Sequence, residues 1–591
     1  MLGLLMRRSP SPRLDRRSFL RATAGFAALT AYPAGRLQAR QTAASAEPDP
    51  LVHALVRAND DRVASLLPRQ ERRGSHRRVG GLPNEHGIYA AGEAAGFVSA
   101  LACAGCAPQS RFFHAAGLVE PLRLALRFLL DAQHADGTID LHTTNFHSPP
   151  DTAFVLEALC PACAIMQQGA WPPDASVVSD LRRFIIRAGA ALVSGGVHTP
   201  NHRWVVCAAL ARVHALAPDP RYLARIDQWF AETVDIDPDG QYTERSTTVY
   251  SPVVDRALLT VARLLDRPAL LEPVRRNLEM TLFYVHPDGE VVTEASRRQD
   301  RYQRGSLARY YYSYRTLALR DGNGRFAAMA RQIEEQDRAQ LVGELPAFCE
   351  EPGLGRPMPP SEPLPTDYAR VFAFSGLARI RRGPVSATIL AENASLFSLR
   401  KGSAALEAFR IASAFFGKGQ FAGDALEVRD RRFVLRQTLD GPYFQPFSPE
   451  QVAEGVAVRM APNGTLSTDS RAARARSNVQ ALESVVEIAE TNGAFELAVA
   501  VTGTDDVPVA VELAFRRGGQ LHGVEAVPKI DDAFLLREGT GRYTFDGNTI
   551  TFGPGRAEHT WTQLRGALPK WDGQSVYLTG FTPFRMVLTI A

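Results

Sequence analysis

Three tripeptides recur at nearly equal intervals: His147-Ser148-Pro149, His198-Thr199-Pro200 and Tyr250-Ser251-Pro252, 51 and 52 residues apart, and a further step of 52 lands on Tyr302. Ser or Thr followed by Pro suits a helix start, because the hydroxyl accepts a free amide hydrogen bond and proline has none to donate. The spacing therefore predicts that His147, His198 and Tyr250 sit at equivalent positions just outside three successive helices. Four polar clusters accompany this repeat. They are Asp140, His142, Asn145 and His147; His198, Asn201, His202 and Arg203; Tyr242, Glu244, Arg245 and Tyr250; and Glu294, Arg297, Arg298 and Tyr302. Polar caps are ordinary at helix ends, but four aligned turns carrying His, Tyr and Arg point to a site.

These residue types suit removal of a proton from carbon beside a sugar carboxylate, followed by loss of the group on the next carbon. While that carboxylate is charged the carbanion-like state is too costly, so donors must bind and neutralise it first. Asn201 and His202 fall in the first turn of a helix after Pro200, where free backbone N–H groups and the helix dipole favour an anion. A tyrosine beside an arginine can serve as base and acid, its phenolate favoured by the adjacent charge. Tyr250 with Arg245, or Tyr302 with Arg298, fits that part. Asn201, His202 and Tyr250 are thus the candidate catalytic residues. Asn145, His147, His198, Arg203, Glu244, Arg245, Arg298 and Tyr302 are the candidate substrate-binding residues.

The elements that must hold these residues fall into two halves. From about residue 50 to 345 the apolar spacing is helical, as in Asp180–Leu192, where Leu181, Phe184, Ile185, Ala188 and Leu192 share one face. Glycine turns at Gly81, Gly137, Gly196, Gly240 and Gly289 are spaced widely enough for two helices each, which predicts a ring or solenoid of helical hairpins. Equivalent turns would then share one face. The proline-rich stretch from Glu351 to Pro365 can be neither helix nor central strand. Beyond it the pattern alternates, with hairpin turns at Asn492-Gly493 and Asp546-Gly547, which implies an antiparallel β-sandwich. The expected organisation is an export signal at 1–46, an incomplete (α/α) toroid at 47–349, a linker at 350–366 and the sandwich at 367–591.

The 591 residues carry 67 cations, 63 of them arginine, against 63 acids, a net charge of +4. Residues 1–46 hold eight arginines and one acid, so the remainder is net negative. With no basic tail, nucleic-acid binding is disfavoured. The leader has the order of an export signal: a basic stretch, a short apolar run from Ala22 to Tyr32, then small residues. Arg16-Arg17-Ser18-Phe19-Leu20-Arg21 resembles the twin-arginine signal, which predicts a periplasmic or secreted protein without stable membrane insertion after signal removal. Of six cysteines, Cys103 with Cys106 and Cys160 with Cys163 have metal-pair spacing, but they lie in apolar helical sequence and read as buried thiols.

A helical toroid followed by a β-sandwich, with Asn201-His202 and a tyrosine, Tyr250, about 50 residues later, resembles the polysaccharide lyases of the heparinase II/III, alginate and chondroitin lyase type. The resemblance implies that Asn201 and His202 neutralise a uronate carboxylate, and that Tyr250 is the acid and also the base in a β-elimination. It implies an acidic, uronate-containing polysaccharide as partner. Many such enzymes bring a histidine from the sandwich, sometimes with a zinc-binding set, whereas residues 366–591 here hold only His522 and His559. A tyrosine base is therefore expected, no cofactor is predicted, and the question of a structural zinc or calcium stays open. The arginine- and aromatic-rich segment 397–421 is expected to line the cleft. Two rivals stand beside this reading. A glycoside hydrolase would use a carboxylate pair drawn from Asp140, Glu244 and Glu294. A non-catalytic sugar-binding protein would present exposed aromatic platforms, for which only Trp204 and Trp229 fall near the helical mouth.

Overall fold

The computed structural model describes residues 49–73 and 77–591. The leader reading, with Arg16-Arg17, lies outside them. Among the described residues no helix is long and apolar enough to cross a membrane, and Pro48–Ala591 forms one compact unit.

Among the described residues twelve α-helices precede the first long strand: α1 (Pro50–Leu66), α2 (Ala91–Cys106), α3 (Val119–Ala132), α4 (Pro149–Gln168), α5 (Ala175–Ser194), α6 (Pro200–Leu216), α7 (Pro220–Phe230), α8 (Tyr250–Leu264), α9 (Leu271–Thr281), α10 (Tyr311–Asp321), α11 (Gly324–Gln336) and α12 (Leu345–Glu350). Helices α2, α4, α6, α8 and α10 pack side by side as an inner layer, and α3, α5 and α7 form an outer one. The two layers follow from residue type. Inner α6 is apolar nearly all round, with Trp204 to Ala211 wholly buried, whereas outer α7 buries only Tyr222 and Ile226. Helix α12 closes the centre by packing on α1, α2 and α4.

The glycine turns serve a shared purpose, with two corrections to their identity. Gly80, Gly137, Gly240 and Gly289 have φ of 92°, 90°, 95° and 86°. A Cβ would lie 2.3 Å from the Arg187 carbonyl at Gly137 and 2.5 Å from the Arg276 carbonyl at Gly240. Gly80, Gly137 and Gly240 therefore need both the left-handed backbone and the missing side chain, while Gly289, where a Cβ would meet only the Gln336 side chain, is set by its φ. Gly80 takes this place rather than Gly81, and Gly196 has no such φ. Antiparallel bridges accompany these turns: Pro83–Tyr89 and Ile139–Ser148 follow Gly80 and Gly137, whereas Ile236–Tyr242 and Val285–Val291 enclose Gly240 and Gly289.

The Ser-Pro signal also divides. Ser148 caps α4 by accepting from the Asp151 amide at 3.2 Å, and Thr199 occupies the cap of α6. In the third copy the helix begins at Tyr250 itself, so Tyr250 is a first-turn residue and Ser251 follows inside the helix. The six cysteines are free thiols, four of them buried.

The stretch between α12 and residue 367 contains one 3₁₀ turn, Pro352–Gly355, and is pinned along α10 and α11 by bonds such as Arg315 Nε to Leu354 O at 2.6 Å and Arg331 Nη2 to Pro359 O at 2.9 Å. Strands then form two sheets of ten and eight. The central pairings of the first run Gln574–Phe581, Pro508–Phe515, Ala404–Ser413, Phe397–Lys401, Val385–Leu390. Those of the second run Phe584–Ile590, Ala494–Gly503, Arg476–Thr491, Arg432–Phe444. Their inner faces share one core that includes Phe397, Phe409, Leu497, Leu513 and Phe584. Asn492-Gly493 and Asp546-Gly547 turn the predicted hairpins with φ positive at both residues. The sheets are antiparallel except that Ala533–Leu535 joins Gln574–Phe581 in parallel.

Candidate functional site

The turns before α8 and before α10 are zipped together. The Arg297 amide donates to the Glu244 carbonyl at 3.2 Å, the Thr248 hydroxyl to Asp300 Oδ2 at 2.9 Å, and Gln299 Nε2 to the Tyr250 hydroxyl at 2.7 Å. These pairs are separated by 49 to 53 residues, one repeat of the ring. Hairpins of equal length bring equivalent turns side by side, so one period in sequence becomes one neighbour in space.

Glu244, nearly buried at 7% exposure, is the hub. Its Oε2 accepts from Asn201 Nδ2 at 2.6 Å and from the Asn201 amide at 3.3 Å, and its Oε1 lies 3.3 Å from Arg298 Nε. The guanidinium of Arg298 stands 5.2 Å from the centroid of the Tyr250 ring. Asn201, Glu244, Arg298 and Tyr250 thus form a continuous chain. The N-terminus of α6 is consequently not an empty anion site: Glu244 already supplies a carboxylate to it, which corrects the expectation of free amides there.

His202 completes the cluster. Its ring meets His198 edge to face at 4.8 Å and Phe154 at 5.9 Å, and its Nδ1 is buried without a partner. Burial first, then the neighbouring His198, pushes its pKa down to about 4, so the ring is neutral near neutral pH. Beside it, between α2 and α4, a cavity of about 270 Å³ is lined by Ile139, Leu141, His142, Asp151 and Phe154.

Other candidates sit elsewhere or act differently. Arg245 does not face Tyr250: its Nη1 and Nη2 donate to the carbonyls of Ser375 and Phe374 in the strand region, at 2.7 and 3.0 Å. Arg298 belongs with Tyr250, while Arg301 lies over the Tyr302 ring at 4.9 Å. Arg203 is locked to Glu232 and Asp235 and covers Trp204, so it is a packing residue. Asn145 donates to Asp151 at 2.8 Å. His147 pairs with Asp136 at 2.9 Å and stacks on His134 at 3.7 Å. His147, Arg245 and Tyr302 all hold positive φ, of 48°, 51° and 62°, a conformation that bulky side chains rarely adopt.

The strand region reaches the rim through residues the sequence did not flag. Asn393 accepts from the Tyr302 hydroxyl at 2.7 Å and donates to the Glu294 carbonyl at 3.0 Å. Trp571 meets the Tyr302 ring edge to face at 5.0 Å, and Arg410 lies over the Trp571 ring at 4.5 Å. Of the expected segment 397–421, Ser398 touches Glu294 at 2.8 Å and Arg410 reaches the rim through Trp571, while much of the rest is buried in the sheets. Gln299 follows Arg298 directly and could have been found from the repeat. Asn393 and Trp571 carry no local signal.

The rival carboxylates are engaged. Asp140 accepts from His134 and the His147 amide, and these bonds hold its carboxyl below the usual range against the upward push of burial. Glu294 accepts from Ser398 and from the Thr293 amide. Neither Trp204, which is wholly buried, nor the half-buried Trp229 offers an exposed platform.

No family model matches the chain, and no curated protein matches it in sequence. Solved structures do match. A chondroitin AC lyase of Streptomyces coelicolor A3 aligns over 92% of this chain and 80% of its own, with 13% identity and a TM-score of 0.55. Heparinase III aligns over 93% and 86%, with 12% identity and a TM-score of 0.51. A xanthan lyase of Paenibacillus aligns over 92% of this chain but 57% of its own, with 9% identity and a TM-score of 0.57. The fold is that of the polysaccharide lyases, a helical toroid with a β-sandwich.

Proposed function

We propose that the protein is a polysaccharide lyase that cleaves a uronate-containing chain by β-elimination. The observation that supports this best is the linkage of Asn201, Glu244, Arg298 and Tyr250 beside a neutral His202 at one mouth of the toroid. In this reading the substrate carboxylate is met by Arg298 and His202, with the Asn201 amide held in place by Glu244. Tyr250 oxygen takes the proton from C5. The C5 electron pair forms the C4–C5 double bond, the C4–O bond breaks, and the leaving oxygen recovers a proton from Tyr250. Gln299 Nε2 and the Arg298 guanidinium both favour negative charge developing on the Tyr250 oxygen. Tyr302, whose hydroxyl is committed to Asn393, positions the rim.

The test is the ultraviolet absorbance of an unsaturated uronate across a panel of acidic polysaccharides. New reducing ends without that absorbance would turn the assignment to a hydrolase. The leader supports export by the twin-arginine route, and Arg16→Lys with Arg17→Lys should then abolish it.

A further inference from the structure

A second concave surface lies on the sandwich, away from Tyr250. Strand Arg432–Phe444 shifts register against Arg476–Thr491 between Gly441 and Tyr443. Such a bulge bends the strand and increases its twist. The exposed ring of Phe416 lies against Gly441, where a Cβ would be 2.3 Å from it. The resulting groove, of about 480 Å³, is lined by Lys418, Arg471, Arg474 and Arg476, with Asp440 as its single carboxylate.

The charges are unbalanced within it. Asp440 pairs with Arg476 and, at 3.5 Å, with Lys418. Arg471 donates to the Leu466 carbonyl and Arg474 to the Gln445 carbonyl, both at 2.9 Å, and neither forms an ion pair among the described residues. Phe416, 44% exposed, lines the groove with Pro442 and Phe444 and adds an apolar face, and the exposed Tyr443 ring stands against Phe416 at its edge, 5.6 Å between centroids. Guanidinium groups that lack a carboxylate, beside open aromatic rings, suit a ligand with anionic groups on apolar ring faces.

The groove is tied to the mouth of the toroid. Gly566 packs on Gly417, and the Leu568 amide donates to Gln420 at 2.9 Å. The same loop ends at Trp571, against Tyr302. We propose that this groove is a distal binding site for the anionic polysaccharide, holding a stretch of chain that runs past the loop at 564–571 from the rim of the toroid. This rests on the acidic-polysaccharide reading above.

The test uses the full chain carrying Tyr250→Phe, so that turnover does not consume the polymer, with heparan sulfate, chondroitin sulfate and xanthan as probes. The double variant Arg471→Gln, Arg474→Gln should weaken binding of the bound polymer by about fivefold or more, and flatten its dependence on salt. The single exposed variant Arg471→Glu should act in the same direction, and thermal melting checks that each remains folded. A polymer bound equally well by both variants overturns the groove, as does a protein that binds none of the three or binds only anionic lipid vesicles. If binding falls as expected while the Tyr250-bearing protein yields no unsaturated product, the groove stands and the lyase reading fails.

Discussion

Arg298 lies over the face of Tyr250, 5.2 Å from the ring centroid, while its Nε faces Glu244 at 3.3 Å. The arginine is thus shared between a fixed carboxylate and an aromatic ring, and Glu244 in turn holds Asn201. A cation so anchored can meet a substrate anion without reorganising, which is where electrostatic catalysis is strongest.

Tyr250→Phe removes the oxygen proposed to move the proton and leaves the ring under Arg298. Turnover should fall by about 10²–10⁴-fold, the scale of general acid–base catalysis, while polymer binding persists. Initial rates from product absorbance, with binding measured separately, check this. A near-normal rate would remove Tyr250 from the mechanism.

Tyr302→Phe should cost much less than Tyr250→Phe, because the Tyr302 hydroxyl is bound to Asn393. Asn393→Ala should cost at least as much, because it also loses the bond to the Glu294 carbonyl, and the double variant should be no worse than Asn393→Ala alone. Additive losses would show that the two act separately.

Glu244→Ala leaves Arg298 without its carboxylate and Asn201 without its acceptor. Loss of one preorganised donor costs about 3 kcal/mol in the transition state, and kcat should fall with it. Glu244→Gln keeps an acceptor for Asn201 and should recover part of the loss, which kcat compared across the two variants would read.

His202 is held neutral, its pKa depressed to about 4 by burial and then by His198. An unfolded histidine titrates near 6.5, so between about 6.5 and 4 the unfolded chain binds a proton that the folded one does not. Stability is therefore full above that window and declines as pH falls through it. Denaturant midpoints for the wild type and His202→Gln should converge on acidification, and parallel curves would contradict the assignment. His286, buried and pushed down in the same direction, contributes with the same sign in both proteins.

Gly240→Ala places a Cβ 2.5 Å from the Arg276 carbonyl at φ 95°. The loss should exceed the roughly 1 kcal/mol of an ordinary glycine replacement and lower the melting temperature by about 1 °C for each kcal/mol lost in a unit of this size. Gly196→Ala, where an added Cβ would meet nothing within 4 Å beyond the adjoining residues, should be nearly silent.

The sequence by itself determined the features that depend on local spacing. Helical periodicity, proline at helix starts, Asn-Gly turns and a repeat near 50 residues are short-range properties of the chain. They were enough to expect a toroid followed by a sandwich and to bring Asn201, His202 and Tyr250 to one face. Only the tertiary structure decided which side chains meet across that face. Arg245 and Arg298 are equivalent by pattern, yet one donates to carbonyls of the strand region at Phe374 and Ser375 and the other reaches back to the neighbouring turn of the ring and covers Tyr250. Asn393 and Trp571 reach Tyr302 from residues 91 and 269 positions later. No periodicity encodes such contacts, since they depend on how the helical and strand regions fit together. The same holds for Glu244: its spacing marked it as a rim residue, but its role as the anion that occupies the α6 terminus exists only where two turns of the ring lie side by side.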